Sequence, residues 1–133
     1  MVPAVIATWK AMLSSHEPHR LDALIDDSAV FESPVVHTPQ VGKARTVLYL
    51  TAADSVLNNG TFRYIGEWYA GRSAVLEFNA DIDGVLIDGI DMIWWNDADR
   101  IVRFKVMVRP LKAIELLHGR MRQTLETMLA ARG

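Results

Sequence analysis

After Gly60 the chain changes its hydrophobic period, and this change limits the possible folds more than any other feature of the sequence. From Ser73 to Ile82, the set Val75, Glu77, Asn79 and Asp81 alternates with Leu76, Phe78, Ala80 and Ile82. Such alternation belongs to a strand with one face buried and the other wet. Asp83-Gly84 follows, a pair suited to a tight hairpin because both residues tolerate positive φ. Then come Val85–Trp95, the polar turn Asn96-Asp97-Ala98-Asp99, and Ile101–Arg109, which Pro110 stops. Thr61–Ala70, rich in aromatic and β-branched residues, and the turn Gly71-Arg72 precede them. The reading is an antiparallel meander with strands paired consecutively. Glu67, Trp68 and Tyr69 lie on its first strand with no face assigned, and Glu77 and Asp81 belong to the polar set.

Before Gly60 the spacing is helical. Val5, Ile6, Trp9, Met12 and Leu13 recur at three and four, and Pro18 ends that segment. Leu21, Leu24 and Ile25 suggest a second, short helix. Ala29–Ser33 is a short β-rich run containing Phe31, and Val35–Gly42 is a loop bracketed by Pro34, Pro39 and Gly42. Lys43–Leu57 returns to helical spacing, and Asn58-Asn59-Gly60 closes it. At the other end, Ile114, Leu117, Met121, Leu125 and Met128 predict one long helix over Leu111–Arg132. Helices, then a curved antiparallel sheet, then one more helix make an α+β layer structure: a single domain over residues 1–133. A sheet that curls around the N-terminal helices leaves a cone-shaped core with an open end.

One residue breaks the pattern. Ile87, Gly89, Asp91, Ile93 and Trp95 share a strand face, because residues two apart point the same way. An unpaired carboxylate on such a face is costly, and burial raises its pKa until the group is neutral. Hairpin register decides whether Asp91 is buried. If Asn96 pairs with Ile101, Asp91 faces Val106, Ile93 faces Phe104 and Trp95 faces Val102, so an apolar face carries one acid. Slipped by one residue, Asp91 faces Lys105 as an ordinary cross-strand pair, but Ile93 then faces Arg103. The first register is favoured. It places Leu76, Phe78, Ile93, Trp95, Phe104, Val106 and Val108 around an internal pocket with Asp91. Leu86, Ile90, Met92 and Trp94 fall on the outer face, an apolar stripe that a second subunit would cover.

Composition excludes several functions. With a formal charge of −2 the chain has no basic field for nucleic acid or anionic lipid. It contains no cysteine, so it has no disulfide, thiolate nucleophile or thiolate-held metal. No two His lie at metal-ligating spacing, and no Gly-rich phosphate loop or dinucleotide fingerprint occurs, so neither a metal nor a cofactor is expected. The first residues make a poor signal peptide and no apolar run is long enough to cross a membrane, so a cytoplasmic protein is expected.

The order of elements, with Ser33-Pro34-Val35-Val36-His37-Thr38-Pro39 after the first strand and Gly89-Ile90-Asp91-Met92-Ile93 on the long one, resembles the nuclear transport factor 2-like superfamily. More narrowly it is similar to its SnoaL-like branch of small bacterial proteins. The resemblance implies a cystatin-like α+β barrel with an internal pocket, usually a homodimer. That superfamily hosts ketosteroid isomerases, polyketide cyclases, epoxide hydrolases, dehydratases and non-catalytic binders, so it implies shape better than activity. Compared with the ketosteroid isomerase pattern, the general-base position before proline holds Ser33, and the position of the helix-borne tyrosine holds Met12. Only the acid on the long strand, Asp91, matches. Two functions follow as expectations: a pocket that binds a small apolar molecule without catalysis, or a cofactor-free isomerase, cyclase or dehydratase acting on a small carbonyl compound. In the second, Asp91 is the acid or hydrogen-bond donor, His37 the candidate proton acceptor, and Phe31 and Ser33 join the pocket wall.

Overall fold

The computed structural model describes residues 1–132. Its elements are α1 (Ala4–Ser15), a tight helical turn at Pro18–Arg20, α2 (Leu21–Leu24), β1 (Ile25–Glu32) and β2 (Gln40–Val41), then α3 (Lys43–Leu57), β3 (Arg63–Ala70), β4 (Ser73–Ile82), β5 (Val85–Trp95), β6 (Ile101–Arg109) and α4 (Leu111–Arg132). The strands form one sheet in the order β2-β1-β6-β5-β4-β3. From β3 to β6 each strand pairs antiparallel with the next, as the alternation and the hairpin residues require. The sheet is not antiparallel throughout, because β1 runs parallel to β6. After β1 the chain crosses by way of α3 to the far edge, and the meander then returns strand by strand. Its last strand therefore arrives beside β1 pointing the same way.

Two boundaries differ from those expected. Ile25 opens β1 instead of closing α2, because it pairs with Ile101 and is fully buried there. The proline-bracketed loop also contains a strand, β2, in which Gln40 and Val41 pair with Phe31 and Val30.

The register of β5 against β6 places Asp91 opposite Val106 and Ile93 opposite Phe104. It shifts by one residue at the end, so that Trp95 lies opposite Ile101 and not Val102. The turn beyond explains the shift. Asn96 donates its N–H to the Arg100 carbonyl at 3.0 Å, and its side-chain oxygen accepts from the N–H groups of Ala98 and Arg100. The turn closes one residue early, and the displaced pairing keeps Trp95 on the buried face.

On the concave face Leu76, Phe78, Ile87, Ile93, Ile101 and Phe104 are buried against Val5, Ile6, Trp9 and Met12 of α1, Leu50 of α3, and Ala113 and Leu117 of α4. Close packing there depends on Gly89, because a Cβ at that position would lie 2.5 Å from the Phe78 ring and 2.8 Å from the Met107 carbonyl oxygen. α4 lies beside α3 over the concave side, so among the described residues no helix covers the outer face. Among the described residues no helix is long and apolar enough to cross a membrane.

Candidate functional site

Asp91 sits in the middle of β5 with Leu76 on one neighbouring strand and Val106 on the other, and only 6% of it is exposed. Its one protein partner among the described residues is a tyrosine. The Tyr64 hydroxyl donates to Asp91 Oδ2 at 2.5 Å, and the same hydroxyl accepts the indole N–H of Trp9 at 2.9 Å. Tyr64 reaches inward from β3, where it pairs with Phe78; the register of β3 shifts just beyond it, between Tyr64 and Gly66. Phe62 fixes the ring, edge to face with Tyr64 and stacked on Phe78, both at 5.1 Å.

Burial pushes the Asp91 carboxyl up from 3.8 to about 7, an effect the Tyr64 hydrogen bond only partly offsets. Burial and the neighbouring carboxyl hold the Tyr64 phenol well above its ordinary value, so it stays protonated. The chain of donors can then be counted. Trp9, Tyr64 and a protonated Asp91 carry one hydrogen each, and two of these are used in the Trp9–Tyr64 and Tyr64–Asp91 contacts. Whichever oxygen bears it, one hydrogen remains for the space in front of the pair. When Asp91 ionises none remains, because the indole and the phenol satisfy the two contacts.

That space is a cavity with an almost wholly apolar wall. α1 contributes Trp9 and Leu13; α3 contributes Leu50, Ala53, Asp54 and Leu57, with Asn58 at its end. Phe31 and the turn Ser33-Pro34-Val35 form one side, Phe62 and Tyr64 another, Phe104 and Val106 the floor, and Leu117 and Met121 of α4 the cover. Beyond Tyr64 lies a polar vestibule with Lys10, Arg63 and Glu67 on its walls, which shares Leu13, Asn58, Phe62 and Tyr64 with the cavity. Lys10 and Glu67 form an ion pair, which shows that Glu67 points to the concave side; Trp68, opposite Val75, points outward.

Of the residues expected at the site, Phe31, Ser33, Asp91, Phe104 and Val106 line the cavity. Leu76, Phe78, Ile93, Trp95 and Val108 do not. The first four are buried in the solid core, and Val108 packs half-buried against it. Strand period gives the face a residue occupies, but not where along the strand the helices stand off from the sheet. His37 is exposed on its loop and is not part of the wall, so the structure does not bring it to Asp91. The Ser33 hydroxyl oxygen accepts the Val35 N–H at 3.1 Å and braces the turn, and Met12 is buried core. Tyr64, Trp9, Asp54 and the α4 residues went unassigned in the sequence. Among the described residues no three His, Asp or Glu side chains converge as metal ligands would.

The fold recurs among solved structures. A steroid delta-isomerase from Pseudomonas aeruginosa superposes with a TM-score of 0.90 at 35% identity, covering 96% of this chain and 93% of that one. An uncharacterized protein with a cystatin-like fold from Silicibacter pomeroyi gives 0.80 at 22% identity, over 96% of this chain and 86% of the other. A nuclear transport factor 2-like protein of unknown function from Mesorhizobium loti gives 0.70 at 22% identity, over 80% and 88%. No protein-family model and no curated protein matches the sequence. A relative more than a third identical along nearly the whole of both chains, on the same α+β fold, makes this protein a member of the nuclear transport factor 2-like superfamily.

Proposed function

We propose that the protein binds a small, largely apolar molecule through one acceptor oxygen, a carbonyl or ether, placed against the Asp91–Tyr64 pair. The observation that carries this reading is the hydrogen count: the protonated chain Trp9–Tyr64–Asp91 has one donor left over in a cavity whose other walls are nearly all apolar. A protonated acid held in a dry pocket to donate to a ligand oxygen is a known use of a raised carboxyl pKa. Binding then requires the neutral acid. An ionised Asp91 would turn lone pairs toward the ligand oxygen and leave that oxygen unpaired, which costs about 1–3 kcal/mol. Calorimetric titration with a bicyclic ketone tests this: affinity falls tenfold or more as pH rises through about 7. Affinity that is flat across that range overturns the reading.

A second reading is a cofactor-free enzyme, an isomerase, cyclase or dehydratase acting by proton transfer on a carbonyl compound. The similarity to a steroid delta-isomerase favours it. In that reading the Asp91–Tyr64 pair stabilises the oxygen as charge develops on it. Against it, the position before Pro34 holds Ser33, whose hydroxyl is occupied in a turn and is no base near neutral pH. Incubation with a β,γ-unsaturated ketosteroid, followed by the ultraviolet absorbance of the conjugated enone, separates the two: turnover establishes the enzyme, and binding without turnover the plain pocket.

The outer sheet face supports a homodimer. Trp68, Val75, Met92 and Lys105 form one row across the strands and Glu77, Ile90 and Met107 the next, with the polar row Asn79, Asp88 and Arg109 between these and Leu86. Trp68, Leu86 and Met107 are exposed, and this patch is wider than the stripe expected.

A further inference from the structure

The cavity wall contains a second acid, and it lies on a different element. On α3 the residues facing the cavity are Leu50, Ala53, Asp54 and Leu57, at the three-and-four spacing of a helix face turned to an apolar space. Asp54 is half-buried among them. It serves the helix poorly, since an acid in the last turn meets the negative end of the helix dipole. Its Oδ1 accepts the Asn58 side-chain N–H at 3.0 Å, and Asn58 is tethered to α1 by donating to the Leu13 carbonyl at 2.9 Å. Asp54 is therefore held by one oxygen, its other oxygen has no partner among the described residues, and the residue lines the same cavity that Asp91 enters from the sheet.

We infer that the two acids select a ligand with opposite hydrogen-bonding ends: an acceptor oxygen against Asp91 and a hydroxyl that donates to Asp54. The ligand class is a compact hydroxy-ketone or hydroxy-ether with an apolar ring body, and Asp54 is its specificity-determining residue. This rests on the proposed binding at Asp91 and adds a second anchor on α3. The two ends are told apart by what each site offers: the Asp91–Tyr64 pair has a hydrogen to give, and Asp54 has an oxygen lone pair to receive one.

The test compares a decalone with the same decalone bearing a hydroxyl at the far end of its second ring. Both are titrated calorimetrically into the wild-type protein, Asp54→Asn and Asp54→Ala. The hydroxylated compound should bind wild type about tenfold more tightly, the gain from one added hydrogen bond. That preference, taken as the ratio of the two affinities within each protein, should shrink to a few-fold in D54N and vanish in D54A. Equal affinity of the two compounds for wild type overturns the inference but leaves binding at Asp91 standing. No binding of either compound to wild type, with each variant shown folded by circular dichroism, overturns both.

Discussion

Asp91 was legible in the sequence because it breaks a pattern: an acid among Ile87, Gly89, Ile93 and Trp95 on a strand face has to be explained. Tyr64 was not legible. An aromatic residue on a strand is most often core, and the register shift beside it removes the alternation that would have shown its direction. Asp54 was hidden for the opposite reason, since an acid near a helix end normally faces water. Two predictions belong at this scale. The raised pKa of Asp91 makes the native state hold its proton more tightly than the unfolded chain does. The contribution of Asp91 to stability is then greatest below about pH 4, falls as pH rises from about 4 to about 7 while only the unfolded state ionises, and levels off above. The full loss is on the order of 4 kcal/mol. Asp91→Asn, whose amide keeps both the acceptor for Tyr64 and a hydrogen for the cavity, should abolish this slope and be several kcal/mol more stable than wild type above about pH 7 in urea unfolding. The ketone affinity of this variant should no longer depend on pH. Tyr64→Phe removes a hydrogen bond that lowers the Asp91 pKa, so that pKa should climb further above about 7. It also strands the Trp9 indole N–H, at a cost of about 1–3 kcal/mol.

At the scale of elements, the meander and the helices could be read from period and turn residues, but the parallel pairing of β1 with β6 could not. Which strands become neighbours depends on where a crossover returns the chain, and no local pattern records that. The tightest joint in the sheet lies at Gly89, which was visible only as a small residue on an apolar face. Gly89→Ala forces its methyl into the Phe78 ring and the Met107 carbonyl, one of them backbone that cannot swing away. Overpacking of this kind costs about 1–3 kcal/mol. Thermal unfolding should show the loss, and a smaller residue at position 78, as in Phe78→Leu, should recover part of it in the double variant.

For the whole molecule, the cone with an internal cavity follows from a curved sheet closed by α1, α3 and α4, and membership of the superfamily agrees with it. The sequence indicated such a cone, but it put the cavity at the wrong depth. Ile93 and Trp95 were expected in the pocket and instead fill the core, because the helices pack solidly at that end. The outer face leads to a separate prediction. The Trp68, Ile90, Met92 and Met107 patch has no cover from α4, and Trp94 at its border has the Arg103 guanidinium 4.4 Å above its ring. Apolar area buried between two such faces is worth about 25 cal/mol per Å² before association costs. Sedimentation velocity should find a two-fold dimer, and Met92→Glu should shift it to monomer with the fold intact. A wild-type protein that stays monomeric at high concentration would show that this face has no such role.

The central claim is that Asp91, in its apolar cavity, keeps its proton up to a pH of about 7. Carbon-detected NMR titration of its side-chain carboxyl, assigned by its disappearance in Asp91→Asn, measures this directly. The titration should show a midpoint near 7, well separated from the other carboxyls. A midpoint at or below the ordinary aspartate value of 3.8 would mean that the group is ionised in the native protein, and the hydrogen left over for a ligand would not exist.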